Sequence, residues 1–121
     1  MVKRFKISRK KIGTSPGTLV YVGEKKTDKI KIEAINYDEK TYQVDEIENA
    51  DYTLTITDTP TVTWIDIRGL HDIELINKIG HQFKIDDLFL SDIVNTQHRP
   101  KVEISDTSIF AVVKMITYNA E

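Results

Sequence analysis

The chain has no cysteine, so neither a disulfide framework nor thiolate chemistry is open to it, and an intracellular compartment is the simplest setting. A surplus of one charge is also missing. Lys and Arg total 17 against 19 Asp and Glu, and a formal net charge of −2 supplies no field for steering nucleic acid or an anionic membrane. No run of about 18 apolar residues occurs, the length that spans a bilayer, and the basic start MVKRFKISRKKIG lacks the apolar centre of a signal peptide. Its six basic residues within the first eleven read as a solvated, mobile tail over residues 1–13. What is present is ordinary for a soluble protein: 121 residues, 40% apolar and 30% charged, enough for one core. Residues 14–121 are read as a single α/β domain.

After the turn signal Ser15-Pro16-Gly17, TLVYVG has the β-branched and aromatic content of a strand, and KIKIEAINYD continues it as a hairpin. In the latter, Ile30, Ile32 and Ala34 alternate with Lys29, Lys31 and Glu33, the period of one dry and one wet face. Tyr37 to Lys40 turns the chain into a third strand, TYQVDEI. Residues 49–61 are a poorly determined connection in which Leu54 and Ile56 suit a short strand. VTWIDIRG is a clear strand, and HDIELINKIGHQF places Ile73, Ile76, Ile79 and Phe83 at helical spacing behind Asp72 and Glu74. A second helix is predicted from Asp86-Asp87, stopped by Pro100. KVEIS and SIFAVVKMITY follow as strands around Asp106-Thr107. The last is apolar at nearly every position, which predicts a strand dry on both faces. Two short helices do not supply such cover, so the sequence reads as truncated or as buried against another subunit. The predicted fold class is α+β (mixed α/β), a mixed sheet flanked by helices as in a truncated α-β-α sandwich.

Chemistry-bearing residues cluster in SDIVNTQHRPKVE. The three histidines, His71, His81 and His98, stand ten and seventeen residues apart without metal-ligand spacing, and no nucleophile elbow or phosphate-cradling loop occurs. His98, Arg99 and Glu103 are a candidate acid–base group; the simpler reading is that Arg99 and Lys101 pair with carboxylates near the helix end. Asp92 falls roughly 130° from the centre of the apolar arc formed by Phe89, Leu90, Ile93 and Val94, on the exposed side of its helix. There it is either a solvated acid or a ligand for a cation or partner. No catalytic residue and no organic cofactor is identified, and the protein is read as a non-enzyme.

Taken in order, SPGTLVYVG, VTWIDIRGLHD, DDLFLSDIVNTQHRPKVE and IFAVVKMITY closely resemble the cytoplasmic N-terminal region of the CorA family of magnesium and cobalt transport proteins, from about Gly13 onward. The resemblance implies a sheet between helical layers, followed in the family by a stalk helix and two membrane helices with a Gly-Met-Asn signature, none of which is in this sequence. It implies homopentamers at the cytoplasmic face of the cell membrane, whose cytosolic domains bind Mg2+, or Co2+, between subunits and hold the pore closed. The interfacial aspartate of that family matches Asp92, here preceded by Ser91 where the family has an acid, so a second site using that acid lacks it. The expected function is a divalent-cation-sensing regulatory domain, with magnesium binding to the isolated region weak or absent because the partner carboxylate lies elsewhere. A magnesium-independent oligomerisation module is the alternative. Subunits of the same protein and divalent cations are the expected partners, without nucleic acid, and with the membrane only through further helices.

Overall fold

The computed structural model describes residues 13–48 and 60–119. The basic tail up to residue 12, most of the 49–61 connection and the short strand expected at Leu54 and Ile56 lie outside the described residues. The elements are β1 (Lys31–Tyr37), β2 (Tyr42–Glu46), β3 (Val62–Arg68), α1 (Ile73–Gln82), α2 (Asp87–Ile93), β4 (Lys101–Ile104) and β5 (Ile109–Val112). The α+β class holds. The strands divide between two antiparallel sheets, β2-β1-β3 and β4-β5, instead of forming one mixed sheet.

In the three-stranded sheet, Ile32 is opposite Ile67 and Ala34 opposite Ile65, so these side chains share one face. That face is the core. Ile32, Ala34 and Ile47 are buried against Ile79 of α1, with Leu75 and Phe83 beside them. The other face carries Tyr37, Val62, Trp64, Tyr42 and Val44, all more than two-fifths exposed, next to a charged end where Arg68 bonds both Asp66 and Glu33 at 2.8 Å. Trp64 therefore belongs to the opposite face from its strand neighbours Ile65 and Ile67.

Both helices begin as the sequence predicts, because an aspartate side chain accepts from the first-turn backbone: Asp72 from Leu75 N–H and Asp86 from Leu88 N–H. Helix α1 is the middle layer. One side meets the sheet, and Ile76 meets Leu90 of α2 and Val94, the residue that caps it, in a second core. The two helices approach closely at Gly80, where an added Cβ would lie 2.3 Å from a Leu90 methyl.

Three expectations are corrected. TLVYVG is not a hairpin strand: β1 is already paired on both edges, and only Val22 bridges, in parallel, to Asn95 beyond α2. That bridge is a pair of backbone bonds, Val22 N–H to Val94 O and Thr96 N–H to Val22 O, at 3.0 and 2.9 Å. Pro100 does not stop α2. The helix ends at Ile93 with Val94 as cap, and Asn95 and His98 N–H groups are taken up in turns. The final strand is neither long nor dry: β5 ends at Val112, and Val113, Met115, Ile116 and Tyr118 are at least four-fifths exposed. Lys101, Glu103, Phe110 and Val112 share the ribbon face towards α2, whereas Val102, Ile104 and Ile109 on the other face are exposed.

Candidate cation site between α2 and β4

Asp92 is positioned by the last turn of α2, with Leu90, Ser91 and Val94 turned inward beside it. Its side chain is only 23% exposed, which corrects the expectation of a freely exposed acid. The tether is Lys101, the first residue of β4, whose ammonium donates to Asp92 Oδ2 at 2.7 Å and also to Glu103 Oε1. Lys101 and Glu103 are two apart on a strand and so project from the same face. Both carboxylates raise the Lys101 pKa above the ordinary lysine value, Asp92 contributing most.

Aromatic packing fixes the height of that ammonium. Phe110 of β5 stacks on Phe89 of α2 with centroids 4.7 Å apart and planes 15° from parallel, and Lys101 Nζ lies 5.3 Å from the Phe110 centroid. His98 closes the other side: Nε2 is 3.3 Å from Asp92 Oδ1 and Nδ1 is 3.0 Å from the Arg99 carbonyl oxygen. Both neighbours are acceptors, and a single neutral tautomer donates to only one of them. A groove of about 790 Å3, lined in part by Phe83, Phe89, Asp92, Lys101 and Glu103, opens the cluster to solvent.

The residues singled out in the sequence are thus partly gathered. Asp92, His98, Lys101 and Glu103 form one chain of contacts, but Arg99 enters it only through its carbonyl, so the His98, Arg99 and Glu103 trio does not assemble around a common point. His71 meets the edge of Tyr21 with centroids 6.4 Å apart, and His81 faces Asp87 at 3.3 Å on the surface. Ser91 is 8% exposed with its hydroxyl 3.5 Å from the Thr18 carbonyl, so the family's second acid has no solvent-facing counterpart here. Sequence reasoning missed the Phe89–Phe110 stack. Each ring lies in a segment correctly read as apolar, and only the tertiary fold brings them together.

Among the described residues no three His, Asp or Glu side chains converge as a metal cage. Two carboxylates around one positive centre is nevertheless how oxygen ligands hold a hard cation, and here that centre is an ammonium. The arrangement fits a cation, and the protein's own lysine supplies one.

No family model matches the chain. It is 39% identical over 114 residues, 94% of its length, to the cobalt/magnesium transport protein CorA of Thermotoga maritima. Among the described residues no helix is long and apolar enough to cross a membrane. The chain spans 32% of the length of the curated relative it matches, and over that region it is a relative of the CorA family, consistent with its N-terminal domain.

Proposed function

We propose that the chain is the regulatory, divalent-cation-sensing domain of a CorA-type magnesium/cobalt transporter, acting at the cytoplasmic face of the membrane with other subunits of the same protein as partners. The observation that carries this is the Asp92 carboxylate, set with Glu103 around a single cationic centre at the mouth of a groove, in a chain 39% identical to CorA of Thermotoga maritima. Magnesium retains several waters and takes one or two carboxylates, so a site of this kind binds weakly and responds to abundant ion. Ion bound between subunits stabilises the closed assembly by mass action. In a full-length protein carrying this region, Asp92→Ala is expected to abolish magnesium-dependent protection from limited proteolysis. Protection that rises with magnesium equally in wild type and variant would remove Asp92 from the mechanism.

A second reading has its own support. Asp92 already has the Lys101 ammonium as its counter-ion, with His98 Nε2 3.3 Å from its other oxygen, and the outer face of the β4–β5 ribbon is apolar and exposed, as a cation-independent oligomerisation module requires. Sedimentation of the oligomer with and without magnesium separates the two, since the module associates equally in both.

A further inference from the structure

The Lys101 ammonium occupies the place beside Asp92 Oδ2 that an entering ion needs. It has an alternative partner within reach, because the same nitrogen bonds Glu103. The Lys101 ammonium lies over the ring of Phe110, itself stacked on Phe89 of α2, so it stays near both carboxylates instead of dispersing into solvent. Glu103 is the more exposed of the two acids, at 46% against 23% for Asp92.

We propose that Lys101 is a built-in competitor for the cation at Asp92, and that Glu103 is the resting place of its ammonium when a divalent ion takes Asp92. This rests on the reading of Asp92 as a cation ligand. A tethered competitor has a local concentration fixed by the fold, independent of solution conditions. The apparent dissociation constant rises by the inverse of the fraction of molecules in which Oδ2 is free, so the Lys101–Asp92 contact sets the ion concentration at which the domain responds. Glu103 makes the exchange feasible, because the displaced ammonium keeps a carboxylate partner and no half-buried charge is stranded.

The test titrates the isotopically labelled chain with Mn2+, a paramagnetic probe, and follows broadening of the backbone amides of Leu90 to Val94 to an ion concentration on the order of 10−3 M, the weak end for carboxylate sites. Lys101→Met keeps an unbranched apolar side chain beside Phe110 but no charge, and is expected to lower the midpoint about tenfold; Lys101→Gln, tolerated differently by the ribbon, is expected to move it the same way. Lys114→Met removes an equal charge from a lysine that bonds the Thr96 carbonyl at 3.0 Å, and is expected to leave the midpoint unchanged. Glu103→Gln is expected to raise the midpoint severalfold in the wild-type chain and to change it little in the Lys101→Met background, the non-additivity that marks coupling through Lys101. A midpoint in both Lys101 variants equal to wild type, or a shift matched by Lys114→Met, overturns the proposal while leaving Asp92 as the ligand, provided Asp92→Asn abolishes the broadening. Broadening absent from wild type and Lys101→Met alike overturns the proposal, because removing a competitor must expose the ligand, while broadening that survives Asp92→Asn overturns both the proposal and the cation reading beneath it.

Discussion

Asp38 holds the turn between β1 and β2 by accepting from the backbone N–H groups of Lys40 and Thr41 at 2.7 and 2.8 Å. The Lys40 N–H, followed by that of Thr41, lowers its pKa below the ordinary aspartate value. A depressed folded-state pKa means the unfolded chain binds the proton more readily. The contribution of Asp38 is therefore present above the unfolded value and lost as pH falls through the lower folded value. Asp38→Asn keeps an acceptor but not its charge. Urea midpoints should put the variant below wild type at neutral pH, with the gap closing at acid pH; a gap that does not vary with pH would show that the charge contributes nothing. At this scale the sequence is legible where partners are close along the chain. The Tyr37–Lys40 turn and the aspartate caps were visible because each side chain bonds a backbone group two or three residues on. The partner of Asp92 was not visible. Helical periodicity locates Asp92 around α2, but Lys101 reaches it across a turn and from a strand, and a calculation confined to one helix contains no such neighbour.

Helix α1 shows how much an element depends on one missing side chain. Gly80 is buried, and a Cβ there would meet three Leu90 side-chain atoms at 2.3 to 2.9 Å, with Leu90 itself 1% exposed and without room to withdraw. Overpacking a fitted site costs about 1–3 kcal/mol, against a gain of at most about 1 kcal/mol from replacing a helical glycine by alanine. Gly80→Ala should therefore lower the urea unfolding midpoint, and a midpoint at or above wild type would mean that α2 shifts freely over α1. The elements the sequence placed well, α1, α2, β1 and β3, each carry a periodic apolar pattern matched to a buried face. Those it misplaced do not. TLVYVG has strand composition, but both edges of β1 are filled by β2 and β3, so only Val22 finds a backbone partner. Pro100 is a sound stop signal that was never reached, since α2 ends where its own capping bonds and the Val22 bridge take over.

Over the whole molecule, apolar side chains are distributed to more surfaces than the described core uses. One is the outer face of the three-stranded sheet, with Trp64 63% exposed; the other is the ribbon with Ile104 and Ile109, 78% and 72% exposed. Areas of this kind mark interaction surfaces. Trp64 is the sole tryptophan, so its emission reports on the first of them alone. Dilute monomer should emit at the wavelength of water-exposed indole and be quenched readily by iodide; a blue-shifted, protected emission from the monomer would contradict the exposed sheet face. The near-continuous apolar run at 109–116 was legible as a segment with two faces to cover, and β5 covers one of them, through Phe110, against α2.

The Val22 bridge bears on the candidate site at Asp92 in a way that contact distances do not express. Its backbone bonds end at Val94 and Thr96, immediately after the turn that carries Asp92, and a third bond runs from the Thr96 hydroxyl to the Val22 carbonyl at 3.0 Å. Seventy-three positions of sequence separate the two sides, 95 less 22. Closing so long a loop carries an entropic cost, one that grows only slowly with its length. The site's order is thus held from a distance: slack introduced near residue 22 would be felt as a looser carboxylate at residue 92.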